Sequence, residues 1–184
     1  MQRTPFNQMN CSIARTINVV GEWWTPLIVR DLALGISRFD ALQRNLGISR
    51  KVLTQRLSGL IEDGIAERVA YQDRPPRYDY WLTEKGAELA LALLPLQAWG
   101  DKWEFGGNGP ITLTHSTCGH QTRATICCSE CGGELNALNL VGEINPESTG
   151  PIAPEVPAAL KRMAETRAAI EAALAASADP AESN

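Results

Sequence analysis

No stretch of this chain approaches the roughly 18 consecutive apolar residues that a membrane-spanning helix needs. Its first seven residues lack the basic, apolar and small-residue sections of a secretory signal. No internal repeat and no Gly-rich phosphate-binding loop is present, and no nucleophile–base pair is apparent. These absences point to a cytoplasmic protein with no membrane partner and no evident catalytic apparatus. The hydrophobic content is 44%, which is ordinary for a globular protein and too high for a disordered one. At 184 residues the chain has room for one ordinary domain and a small appendage. Its five cysteines, in a reducing compartment, suit metal binding or redox chemistry better than a disulfide framework.

The formal net charge of −4 conceals an asymmetry. Residues 1–105 carry 13 Lys/Arg against 12 Asp/Glu, a net of +1, whereas residues 106–184 carry 4 against 9, a net of −5. Within 38–58 five basic residues (Arg38, Arg44, Arg50, Lys51 and Arg56) meet one acidic residue, Asp40. A nucleic-acid partner needs a local positive patch rather than a basic whole. The same charges would equally serve as a solvated helix surface.

Apolar spacing predicts five helices in the first half. Ile13, Ile17 and Val20 share one side of a short helix over 11–20, and Gly21 stops it. Thr25 is an N-cap candidate for a buried central helix with Pro26 just inside. Ser37 is placed to cap a third helix over about 38–45, broken by Gly47. Ser49 caps a fourth, running to about Asp63 and closed by Gly64. Two helices joined by a tight Gly-containing turn are a helix-turn-helix signature. Residues 65–71 alternate apolar and polar in the manner of a half-buried strand, and residues 78–82 form an aromatic-rich one. The intervening residues 72–77 make a basic turn with Arg74 and Arg77, so the hairpin reads as a wing. Thr83 caps a long fifth helix with Leu89, Leu93, Leu96, Trp99 and Trp103 along one face. Pro95 should kink it.

In the fourth helix Leu53, Leu57, Leu60 and Ile61 share the face that must meet the core. The outward N-terminal part offers Ser49, Arg50, Lys51, Thr54, Gln55 and Arg56. These types suit guanine edges, adenine edges, thymine methyls and phosphates. With Arg38, and with Arg74 and Arg77 on the wing, they form the candidate contact set for double-stranded DNA.

The ordered set of residues over the first 105 or so positions resembles the HxlR-type family of bacterial winged helix-turn-helix regulators. It comprises Cys11, then Gly21, Trp24 and Thr25 leading into Leu27, Ile28, Val29 and Arg30, then Arg38 and Phe39. It continues with Gly47, Ile48 and Ser49; Leu53, Thr54, Gln55, Arg56 and Leu57; and Glu62, Asp63 and Gly64. It closes with residues 75–80, Leu82, Thr83, Gly86, Trp99 and Gly100. The resemblance implies a sequence-specific homodimer on a palindromic operator, usually repressing and sometimes activating. It implies that the first and last helices of this domain form the interface, which here involves Ile13, Ile17, Leu93, Leu96, Trp99 and Trp103. The long apolar face of the fifth helix argues independently for such an interface. Trp23 stands where many members carry Lys. The resemblance also places Cys11 where several relatives sense oxidants or electrophiles. As a bare residue, Cys11 reads equally as a small buried apolar group.

Beyond a Gly-rich boundary at 106–110, residues 111–145 form a Cys/His-rich module. His115 and Cys118, with Cys128 and Cys131, have the spacing of two zinc knuckles, His120 being an alternative ligand. DNA binding itself requires no cofactor, and zinc would be structural. Residues 146–184 comprise a proline-dotted linker, a helix over 158–176 and a disordered tail. The expected whole is mainly α with a small β-hairpin (α+β): a winged helix-turn-helix over 1–105, a zinc-ribbon-like β module and a C-terminal helix. Two other classes stay open, an enzyme using the Cys/His cluster and a protein-interaction module. Against the enzyme, a catalytic zinc needs an open position, whereas four ligands suit a closed site. No small-molecule effector has a signature in the residues.

Overall fold

The computed structural model of the chain describes Phe6 and residues 8–177. They divide into two compact units, one reaching to Thr125 and the other starting at Ile126. The first unit runs α1 (Ser12–Val20), α2 (Thr25–Ala33), α3 (Phe39–Leu46), α4 (Arg50–Glu62), β1 (Ala66–Asp73), β2 (Pro76–Leu82) and α5 (Glu84–Trp103). A two-residue pair follows, β3 (Leu113–Thr114) with β4 (Gln121–Thr122). The second unit contains the bridge between Cys127 and Glu134 and the helix α6 (Glu155–Ser177). This is the expected α+β winged helix-turn-helix. Among the described residues no helix is long and apolar enough to cross a membrane. The tail expected over 177–184 lies, from 178 on, outside the described residues.

The core collects one face from each helix of the reading head. Ile28, Val29 and Leu32 of α2, Leu42 of α3, and Leu53, Leu57 and Leu60 of α4 pack with Ile48, Ile65 and Ala66. The fully buried Asp31 would be costly unpaired. It accepts from Arg30 Nε at 2.9 Å and from Asn45 Nδ2 at 2.7 Å, which ties α2 to α3. Gly47 turns the chain between α3 and α4 at φ 63°, in the left-handed region that a Cβ disfavours.

β1 and β2 pair antiparallel from Ala66–Leu82 to Asp73–Pro76, with an irregularity between Ala70 and Gln72. Arg38 bridges to Asp79, and the Tyr80 N–H donates to the Ser37 carbonyl at 2.9 Å, so the lead-in to α3 borders the hairpin. Helix α5 leaves the hairpin at a crowded junction. Thr83 Oγ1 donates to the Gly64 carbonyl at 2.7 Å and accepts the Gly86 N–H at 3.2 Å. The Thr83 N–H donates to the Ile65 carbonyl at 3.0 Å. Lys85 Nζ donates to the Asp63 carbonyl at 2.7 Å. A Cβ on Gly86 would run into the Ile65 carbonyl oxygen.

Several local expectations change. Thr25 is the first residue of α2 rather than its cap, and it is buried. Ser37 does not cap α3, because its hydroxyl donates to Asp79 Oδ1 at 2.9 Å; Arg38 holds the cap position. β1 alternates in sequence but not in burial, since the hairpin projects past the core and only its first residue is buried. The α5 face divides: Leu89 and Leu93 pack against the core, while Leu96, Trp99 and Trp103 are exposed. Pro95 lies inside α5, which continues on both sides of it. α6 begins three residues early and takes in Pro157, which a first helical turn tolerates.

The Gly86 junction yields a stability prediction. Gly86→Ala should lower unfolding free energy by about 2–3 kcal/mol, the cost of forcing a methyl group against fixed backbone. Urea unfolding of the purified chain measures it, and a change under about 0.5 kcal/mol would contradict the close approach.

Candidate nucleic-acid interface

The outward face of α4 is set by the packing of its inward face. With Leu53, Leu57 and Leu60 buried, helical geometry turns Lys51, Thr54, Gln55 and Ser58 to solvent. Ser49 caps the helix by accepting the Val52 N–H at 3.3 Å. Arg50 opens the helix, held by Asp40 Oδ1 at 2.9 Å and lying 4.8 Å over the Phe39 ring. Arg38 sits 4.8 Å over the Tyr71 ring and 3.6 Å from the Asp79 carboxylate. At the wing tip Gln72 Nε2 donates to the carbonyls of Arg74 and Pro75, each at 3.1 Å, and leaves Arg74 and Arg77 exposed.

Arg56 departs from the expected contact set. Its Nη2 lies 2.8 Å from Glu22 Oε2, and its side chain is only 21% exposed. Its charge is committed to the turn between α1 and α2. Residues flanking a helical stripe can go either way, and the nearby Glu22 decides this one.

Residues outside the sequence-based contact set complete the surface. The starts of α3 and α4 and the wing enclose a groove of about 500 Å³. Arg44 lines it, and so do the rings of Phe39, Tyr71, Tyr78 and Tyr80. The i, i+2 spacing of Tyr78 and Tyr80 puts both on one face of β2, a signal available in the sequence. Burial pushes the Tyr80 hydroxyl above its ordinary pKa; Arg68 opposes this and Tyr78 adds to it. Tyr80 therefore remains a neutral hydrogen-bond donor at any neutral pH.

Both knuckle turns form. His115 Nδ1 lies 3.3 Å from Cys118 Sγ in the first unit. In the second, N–H groups of Cys131 and Glu130 donate to the Cys128 sulfur and hold its thiol below the usual range. Among the described residues no group of three or more His, Cys, Asp or Glu is arranged to hold a metal ion. The candidate ligands His115, Cys118 and the alternative His120 lie in the first unit, and Cys128 and Cys131 in the second. Cys11, far from being buried, is exposed at the N-cap of α1. The apolar side of α1 is exposed as well, Ile13 at 71% and Ile17 at 40%, as is Trp23.

A helix-turn-helix with an outward basic and amide-bearing second helix, flanked by an arginine-tipped hairpin, defines the winged helix-turn-helix class. The HxlR-like helix-turn-helix family model matches residues 19–106. An uncharacterized HTH-type transcriptional regulator of Mycobacterium tuberculosis (strain H37Rv) is 43% identical over 136 residues, 73% of this chain and 86% of that protein. The crystal structure of PA1607, a candidate transcription factor, superposes with a TM-score of 0.67 at 29% identity, covering 78% of this chain and 100% of that one. PA1374 from Pseudomonas aeruginosa, likewise a candidate transcription factor, gives 0.54 at 34% identity over 76% of this chain and 95% of its own. The chain belongs to the HxlR-like helix-turn-helix family.

The inward turn of Arg56 predicts a contrast. Arg56→Gln should cost about 1–2 kcal/mol by breaking a half-buried ion pair and leaving Glu22 behind. Lys51→Gln, on the outer face, should change stability by less than about 0.5 kcal/mol. Paired denaturation curves compare them, and equal effects would reject the assignment.

Proposed function

We propose that this protein is a transcriptional regulator that binds a palindromic DNA operator as a homodimer, acting as a repressor. The observation that carries the reading is the exposed set Arg50, Lys51, Thr54 and Gln55 on a helix whose opposite face is locked into the core. Gln55 and Thr54 are assigned to base edges in the major groove, Lys51 and Ser49 to phosphates, and Arg50 to either. Arg38 flanks them, and Arg74 and Arg77 reach the adjoining minor groove or its phosphates. The names of the relatives support the regulator role.

The dimer is assigned to α1 and the outer part of α5. Ile13, Ile17, Leu96, Trp99 and Trp103 are all exposed on the single chain, an apolar area that a soluble protein rarely leaves uncovered. Leu93 is better assigned to the core it touches. A two-fold pair would present two reading helices to half-sites about one DNA turn apart.

Operator fragments selected from genomic DNA with the full chain provide the test. Gln55→Ala should weaken binding to the selected site by about 5- to 150-fold and relax specificity at one position. Lys51→Ala should weaken selected and random DNA alike and lower the salt slope by about one. Specific binding unaffected by both substitutions would reject the assignment. Sedimentation velocity should find a dimer in the parent chain and a monomer in Trp99→Glu. A monomeric parent would reject the interface.

The exposure of Cys11 at a helix N-terminus favours a second reading, in which its thiol adjusts DNA binding to oxidants or electrophiles. Cys11→Ser should then retain DNA affinity but lose its response to diamide. An unchanged response would reject thiol sensing at this position.

A further inference from the structure

The groove beside the reading helix combines a basic wall with a set of aromatic rings. Four guanidinium groups line it, from Arg38, Arg44, Arg50 and Arg77, against one carboxylate on the same wall, Asp40. Arg38 and Arg50 are steadied by their stacks on Tyr71 and Phe39. Arg44 and Arg77 have no ion-pair partner among the described residues. Such a wall suits a carboxylate or a phosphate, because a guanidinium fork matches either in two parallel hydrogen bonds.

The rest of the groove is aromatic. Tyr78 and Tyr80 come from one face of β2, and Pro75 and Pro76 close the side toward the wing tip. A phosphodiester has no apolar surface to set against these rings. A volume of about 500 Å³ is also far larger than a phosphate group and falls in the range of small-molecule sites. The neutral Tyr80 hydroxyl supplies a donor that pH does not remove.

We infer that the groove between the starts of α3 and α4 and the wing binds a small planar aromatic carboxylate, and that its occupancy opposes DNA binding. The carboxylate engages the arginine wall, and the ring lies among the tyrosines and prolines. Arg50 and Arg77 then serve two partners, so ligand and DNA compete for the same cations. The competition rests on the DNA-binding reading; the ligand site does not.

Isothermal titration calorimetry on the full chain tests the site with three probes: 1-naphthoate, 1-naphthylmethanol and inorganic phosphate. Naphthoate should bind saturably, with the neutral alcohol and phosphate each at least about tenfold weaker. Arg44→Gln should weaken naphthoate by about tenfold. Ala41→Trp, which fills the groove wall from α3, should abolish naphthoate binding. In fluorescence anisotropy, naphthoate should raise the apparent dissociation constant for operator in the parent chain and not in Ala41→Trp. Phosphate binding as tight as naphthoate would reduce the groove to a DNA-backbone seat and overturn the inference. So would naphthoate binding that is indifferent to both substitutions. Operator binding without naphthoate binding sinks the ligand site alone; naphthoate binding without operator binding sinks the regulator reading and leaves the site standing.

Discussion

The reading head depends on the contact of α5 with the base of the hairpin. Thr83 and Gly86 join four things there: the end of α4, the start of β1, the end of β2 and the start of α5. The Ile65 carbonyl accepts the Thr83 N–H and lies against the bare backbone of Gly86. No side chain fits between them. Together with the contacts of Ser37 and Arg38 to β2, this approach positions the wing, and with it Arg74 and Arg77, against the body. Hydrophobic burial holds the helices together, but it is non-directional and could not set that position alone.

Charge is distributed by commitment rather than by number. Arg56 is spent on Glu22 and Arg30 on Asp31, both inside the scaffold. Arg38 and Arg50 are half-committed, each paired with a carboxylate and stacked on a ring. Lys51, Arg44, Arg74 and Arg77 make no ion pair among the described residues and carry the outward positive field. This gradation explains how a chain with a net charge of −4 can present a basic face.

The helices and the hairpin were legible because their signals are local. Ser49 and Thr83 cap as their types suggest, and Gly47 and Gly64 take the left-handed backbone their positions require. The failures came where a distant partner intervened. Ser37 looks like a cap until Asp79, 42 residues away, claims its hydroxyl. Cys11 is exposed because α1 buries only Ala14, which a nine-residue pattern does not disclose. The cysteine spacing encodes two knuckle turns, and those are present, but spacing alone carries no information on whether two turns meet.

The clamp on Asp31 has a mechanical consequence. Asn45 is near the end of α3, and its amide finds its acceptor at a single buried point on α2. Sliding α3 by one turn would leave that carboxylate half-satisfied in an apolar interior, a heavy penalty for a graded motion. The bond therefore opposes sliding of α3 along α2. Any displacement imposed on α2 reaches α3, and through the short turn at Gly47 the reading helix, as a tilt of one solid block. A lever of this kind transmits rotation over the length of the domain while its internal contacts stay unchanged.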